Sequence, residues 1–178
     1  IGGKVTALLA ILNGTTNFII TQMREAAQNS IGSAAYPLAL CAATHAGLAE
    51  ADPSDDVLGE DARSKLIILA GLAFGVRLRP RDVYLRGIAR RGLSQVSPDV
   101  QRSSLHACPL GGGLPCQEMC AEDNHLGTQS IFKDADLLVL ERQGYAPKLL
   151  AGAQRVQGTE GEKIVAWVQP AALPVGHA

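Results

Sequence analysis

The sequence predicts an α+β fold, a mixed β-sheet with helices packed on one face, and three observations lead there. Apolar runs of strand length stand near both ends of the chain: Val5 to Leu12 early, Lys148 to Ala153 and Lys163 to Val168 late. Between them lie stretches with helical spacing, bracketed by capping and stop residues. The length, 178 residues with 47% hydrophobic and 19% charged side chains, suits one domain with a sizeable core. Several strands mixed with three or four helices are the composition of a sheet-plus-helix layer.

The elements follow in order. The first apolar run ends at Asn13-Gly14, a turn pair. Thr15, Thr16 and Asn17 offer capping side chains, and Phe18, Ile19, Ile20 and Met23 begin a helix lasting to about Gln28. Asn29 to Ala35 reads as a small-residue loop. Pro37 suits the first turn of a second helix, Leu38 to His45, and Gly47 its left-handed stop. Glu50 to Gly59 reads as a loop, with Pro53 excluding a helix through it.

A third helix runs from about Glu60 to Phe74, with Ala62, Leu66, Leu69 and Ala73 as its apolar stripe and Gly75 as its end. Asp82 to Ile88 reads as a strand and Gly92 to Val96 as a further extended piece. The two late strands are joined by a Gly-Thr-Glu-Gly turn, and Gln169-Pro170 is expected to close regular structure. Ser97 to Ser130 differs: three prolines, the triple glycine Gly111 to Gly113, three of the four cysteines and no sustained period. It reads as an irregular insertion at about 97–130 within a single domain spanning 1–178.

Bulk properties exclude several function classes. Sixteen basic and seventeen acidic side chains leave a net charge of −1, which gives no electrostatic footprint for nucleic acid or an anionic membrane. Three Phe, three Tyr and one Trp provide no platform for stacking bases. No apolar stretch reaches the roughly 20 residues that span a bilayer. The start, Ile1-Gly2-Gly3-Lys4, has neither an initiator Met nor the layout of a signal peptide, so a cut from within a longer chain is expected. A chain with its own core needs no disulfide staples, and a reducing, intracellular setting is expected. Cys108, Cys116 and Cys120, even with His106 and His125, match no zinc module in their spacing, and no metal is expected.

Charge is concentrated in one place. Six acidic residues fall within the twelve positions Glu50 to Asp61, and Lys65 follows four places later. Asp61 and Lys65 stand one turn apart on one helix face, close enough to pair. Carboxylates and an ammonium at the mouth of a buried helix suit a small polar substrate and a proton transfer. The plainer alternative is a solvated acidic turn, with Asp61 favoured by the helix dipole and Lys65 in an ordinary surface ion pair. A calcium loop is set aside, because Val57 stands where the turn glycine is required. His45 is read as a helix C-terminal residue that complements the dipole.

Two segments carry a resemblance. Asn13-Gly14-Thr15-Thr16-Asn17-Phe18-Ile19 and Gly47-Leu48-Ala49-Glu50-Ala51-Asp52-Pro53, continuing to Asp56, Gly59, Asp61 and Lys65, resemble the signature segments of homoserine dehydrogenase. Gly144-Tyr145-Ala146-Pro147-Lys148-Leu149-Leu150-Ala151 and Val168-Gln169-Pro170 through Leu173-Pro174 resemble that family's closing strands. The resemblance implies a substrate-binding and dimerisation domain of an enzyme that interconverts L-aspartate 4-semialdehyde and L-homoserine with NAD or NADP, in aspartate-family amino-acid biosynthesis. It implies that Glu50 and Asp61, with Asp56, bind the amino-acid substrate and that Lys65 donates the proton. It further implies that Gly14 and Thr15 lie beside the substrate, that Gly47 approaches the cofactor, and that the chain forms a homodimer in the cytosol or a plastid.

The sequence departs from the family in three ways. No Gly-x-Gly-x-x-Gly follows a strand, so the family's nucleotide-binding Rossmann domain is expected to be lacking, and with it activity of this chain alone. Leu48 stands where the family commonly has Tyr. The cysteine-rich stretch at about 97–130 has no recognised counterpart. These departures keep a second reading in view, a non-catalytic interaction domain that pairs through its sheet.

Overall fold

The computed structural model describes residues 3–28, 35–50, 52–91, 128–159 and 161–176. Strand β1 (Ala7–Ala10) leads into helices α1 (Gly14–Gln28) and α2 (Ala35–His45), then a single turn α3 (Ser54–Val57) and helix α4 (Glu60–Phe74). Strands β2 (Val83–Leu85), β3 (Ala89–Arg91) and β4 (Thr128–Ser130) follow, then helix α5 (Asp134–Arg142) and the long hairpin β5 (Tyr145–Gly158) and β6 (Gly161–Pro174). The main sheet has the order β1-β5-β6-β2, antiparallel except where β2 runs parallel to β6. β3 and β4 make a separate antiparallel pair. The expected α+β class, a mixed sheet with helices, is what forms.

The pleat separates two faces of the sheet. Leu149, Ala151 and Ala153 of β5, Ala166 and Val168 of β6 and Val83 of β2 are buried, and they join Ile19, Ile20, Met23, Leu66, Ala70 and Phe74 of the helices in one core. The opposite face carries Leu9, Gly152, Trp167 and Tyr84 in register straight across the four strands. Leu9 is 63% exposed, Tyr84 58% and Val165 of the same face 48%, so among the described residues these apolar side chains stand uncovered. Gly152 is required there, because a Cβ would stand 2.4 Å from the Trp167 ring.

Arg155 ties the far end of α4 to the strands. Its Nη2 donates to the Phe74 carbonyl at 2.9 Å, its Nε to the Val5 carbonyl at 3.0 Å and its Nη1 to Glu162 at 2.8 Å. The guanidinium also lies 5.3 Å from the Phe74 ring centroid, a cation–π distance. One side chain thus closes the last turn of α4, whose carbonyls have no helical partner.

Several boundaries differ from the expected ones, each for a local reason. α1 begins at Gly14, so its cap is Asn13 and not the Thr15–Asn17 trio. Pro53 does not exclude a helix: it stands just before α3, where a missing N–H leaves no gap. The buried stripe of α4 is Ala62, Leu66, Ala70 and Phe74, with Leu69 and Ala73 half-buried. The expected strand Asp82 to Ile88 breaks after Leu85, because Gly87 packs against the α3–α4 junction and Ile88 N–H donates to the Val57 carbonyl at 2.9 Å.

Gln169-Pro170 does not close the sheet, since β6 continues to Pro174. The Arg86 N–H donates to the Val168 carbonyl, so residue 170, two further on, also turns its backbone polar groups towards the β2 side. β2 has ended there, and the ladder does not need the missing proline N–H. Helix α5 was not anticipated, although Leu137 is fully buried and Gly144 follows with φ +77, a helix-stop signal. Thr128–Ser130, expected within the irregular insertion, form β4. The rest of that segment, with Cys108, Cys116 and Cys120, lies outside the described residues, as does Gly92 to Val96.

Candidate active site

Asn13 stands between β1 and α1. Its Oδ1 accepts the Thr16 backbone N–H at 2.7 Å, the hydrogen bond of a helix N-cap, and also the Thr16 hydroxyl. That orientation turns Nδ2 towards α3 and α4, where it donates to Asp56 Oδ1 at 2.6 Å and to Asp61 Oδ2 at 2.9 Å. An amide offers two N–H donors and a carbonyl with two lone pairs, and here every one of them is used. The flipped amide would set a carbonyl against two carboxylates, so this is its one workable orientation.

Asn17 extends the anchor. Its Nδ2 donates to the Asn13 carbonyl at 2.8 Å, and its Oδ1 accepts the Leu149 N–H at 3.2 Å. Leu149 lies just beyond the point where β1 stops pairing with β5, so Asn17 satisfies a ladder donor that would otherwise be orphaned. Asn13, Thr16 and Asn17 are the buried polar residues here, and together they fix the start of α1 to the sheet.

Lys65 lies along α4. Its Nζ is 2.7 Å from Asp61 Oδ2 and 3.3 Å from the Leu12 carbonyl oxygen. Asp61 Oδ2 therefore accepts from both Asn13 and Lys65, while Oδ1 meets no donor among the described residues. The two side chains of the ion pair are 31% and 51% exposed, and such a pair contributes only about 0.3–0.5 kcal/mol. Its value is orientation: the ammonium is directed by a carboxylate and a carbonyl that are themselves held. Partial burial opposes ionisation of Asp61, but the hydrogen bonds from Lys65 and Asn13, with the Lys65 charge, outweigh it and hold the carboxyl below the usual aspartate range.

The loop after α2 lies against the same end of α1. Gly47 takes φ +67, the left-handed stop expected of it, and the Leu48 and Ala49 N–H groups both donate to the Ala43 carbonyl. Thr15 Oγ1 donates to the Leu48 carbonyl at 2.8 Å, pinning the loop beside the cap. At Gly14 and Gly47 a Cβ would meet nothing within 4 Å, so both backbones face open space.

Of the residues singled out from sequence, Asp56, Asp61 and Lys65 meet in one hydrogen-bonded cluster, with Gly14, Thr15 and Gly47 at its α1 side. Glu50 is exposed on the adjoining loop and, among the described residues, makes no hydrogen bond or ion pair with that cluster. What the sequence does not show is the bridge that Asn13, in the capping segment Asn13 to Asn17, makes between the two carboxylates. The available signal is an asparagine at a strand-to-helix junction, two residues before Thr15.

The homoserine dehydrogenase family model matches residues 1–178. A homoserine dehydrogenase of Corynebacterium glutamicum is 33% identical over 177 residues, which is 99% of this chain and 29% of the relative. One of Bacillus subtilis is 32% identical over 174 residues, 98% of this chain and 28% of the relative. A crystal structure of Staphylococcus aureus homoserine dehydrogenase superposes with a TM-score of 0.62 at 25% identity, covering 99% of this chain and 31% of that one. A Thiobacillus denitrificans homoserine dehydrogenase gives 0.61 at 26% identity, over 98% of this chain and 28% of that one. This chain thus spans less than a third of the length of these relatives.

Proposed function

Since this chain belongs to the homoserine dehydrogenase family, a group of oxidoreductases, we propose that it supplies the substrate side of the interconversion of L-aspartate 4-semialdehyde and L-homoserine. The supporting observation is the Asp61–Lys65 pair, with Nζ 2.7 Å from Oδ2, held by Asn13 and by the Leu12 carbonyl. The pathway role that follows is aspartate-family amino-acid biosynthesis.

The chemistry fits the residue types. The substrate carries an α-ammonium, which needs fixed carboxylates. Asp61 Oδ1 and Asp56 Oδ2, the oxygens that Asn13 does not occupy, are suited to receive it, with Glu50 approaching from the loop. Reduction of the aldehyde builds negative charge on its oxygen, which the Lys65 ammonium stabilises and then neutralises by giving up a proton. A positioned transfer of this kind is typically worth about 10²–10⁴-fold in rate. In the oxidising direction Lys65 takes the hydroxyl proton back.

NADH or NADPH, when bound, would supply the hydride for reduction, and the oxidised cofactor would accept it in the reverse direction. The residues here fit one edge of such a cofactor: Gly47 has φ +67 and open space where a side chain would stand, which allows close approach of a flat ring. No Gly-x-Gly-x-x-Gly follows a strand in these 178 residues, so the nucleotide grip is not expected from them. On this reading the 178 residues alone turn over no substrate.

A homodimer forms through the uncovered sheet face, where Leu9, Trp167 and Tyr84 align across the strands. That face also favours the second reading, a non-catalytic pairing domain, as does the exposed Leu48 in place of a hydroxyl-bearing residue. Calorimetric titration with homoserine separates the two. Binding that Asp61→Ala abolishes supports the substrate site; absence of binding by the wild-type protein favours the pairing domain.

A further inference from the structure

We propose that Asn13 is a positioning residue, whose Nδ2 group sets the Asp56 and Asp61 carboxylates side by side so that one oxygen of each faces the substrate ammonium. This rests on the substrate-site reading above and adds to it a residue that neither the charge pattern nor the Asp61–Lys65 spacing indicates. Two carboxylates that share an ammonium must lie close together, and without a bridge they repel. Asn13 supplies that bridge, donating to Asp56 Oδ1 at 2.6 Å and to Asp61 Oδ2 at 2.9 Å. The bridge is itself rigid. Its Oδ1 is held by the backbone and hydroxyl of Thr16, its carbonyl by Asn17, and the side chain is 4% exposed. Lys65 is set by the same unit, since it shares Asp61 Oδ2 with Asn13 and reaches the carbonyl of the preceding residue, Leu12.

Asn13 therefore has two separable jobs, helix capping through Oδ1 and carboxylate pairing through Nδ2. Asn13→Ser keeps an acceptor for the Thr16 N–H but replaces the two N–H donors with one hydroxyl on a shorter side chain, which cannot span both carboxylates. Asn13→Asp keeps the cap and replaces the donor with a third carboxylate facing the other two. In the full-length protein Asn13→Ser is expected to melt near the wild-type temperature yet lose about 10²-fold in kcat/KM for homoserine, the scale of a misplaced reacting group. Asn13→Asp is expected to lose more.

The acid limb of the pH profile should move to higher pH in Asn13→Ser, because Asp61 loses a donor that favours its ionised form. A carbon-13 chemical-shift titration of the Asp61 carboxyl reads the same change without turnover, and its midpoint should rise. Wild-type turnover and an unmoved acid limb in a folded Asn13→Ser protein would make Asn13 a cap and nothing more. Should the wild-type protein itself fail to oxidise homoserine, the functional reading fails. The Asp61 titration then decides the bridge alone: an unmoved midpoint overturns it, and a raised one upholds it.

Discussion

Lys65 Nζ lies 3.3 Å from the carbonyl oxygen of Leu12, a residue 53 positions earlier in the chain. The ammonium on α4 is thus held by backbone that has just left β1, and the sheet and the helix layer meet at one side chain. Asp61, a turn earlier on the same helix, holds it from the other side.

This pair should be visible in acid unfolding. The Asp61 carboxyl titrates lower in the folded than in the unfolded protein, so its ionised form contributes stability fully present above the unfolded aspartate value, about pH 3.9. That contribution is lost as pH falls through the lower, folded value. Lys65→Met removes a hydrogen bond and a charge from Asp61, and the loss of stability on acidification should become shallower. Urea unfolding midpoints between about pH 2 and pH 6 measure this directly.

Gly87 should tolerate no side chain. A Cβ there would stand 2.3 Å from the Val57 carbonyl oxygen and 2.4 Å from the Leu58 carbonyl carbon, both backbone atoms that cannot swing aside. Gly87→Ala is expected to cost about 1–3 kcal/mol in denaturant unfolding, the range of an overpacked core. Because Val57 adjoins Asp56, the variant should also weaken homoserine binding.

Thr15→Val keeps the shape and removes the hydroxyl that bonds the Leu48 carbonyl at 2.8 Å. The expected loss of stability is about 0.5–1.5 kcal/mol, that of one ordinary hydrogen bond. Hydrogen exchange should localise the effect, with faster exchange at Leu48 and Ala49 and little change in the β5–β6 hairpin.

The uncovered sheet face gives a prediction about assembly. Leu9 is 63% exposed in the single chain, so Leu9→Lys should leave the fold intact. Sedimentation should show a wild-type dimer and a Leu9→Lys monomer. A dimer in both would move the interface elsewhere.

The parts of the fold that sequence displayed most clearly are those set by local chemistry. Glu60–Phe74 was readable end to end because Gly59 and Gly75 bracket a periodic apolar run, and both take positive φ. The Asp61–Lys65 pair followed from helix geometry alone. What escaped depends on contacts distant in sequence. Pro170 reads as a terminator until one sees that β2 has already ended beside it. The strand expected at Asp82 to Ile88 is interrupted by the α3–α4 junction packing on Gly87, some thirty residues earlier in the chain. Asn13 looks like a turn residue, and its bridging role appears only when Asp56 and Asp61, 43 and 48 positions away, come to meet it.

Whether Lys65 moves the proton is decided by Lys65→Ala in the full-length protein. Steady-state homoserine oxidation with NAD or NADP should show kcat reduced by about 10²–10⁴-fold, the usual worth of a positioned proton transfer, while KM changes far less. Turnover by Lys65→Ala at the wild-type rate would remove Lys65 from the proton transfer.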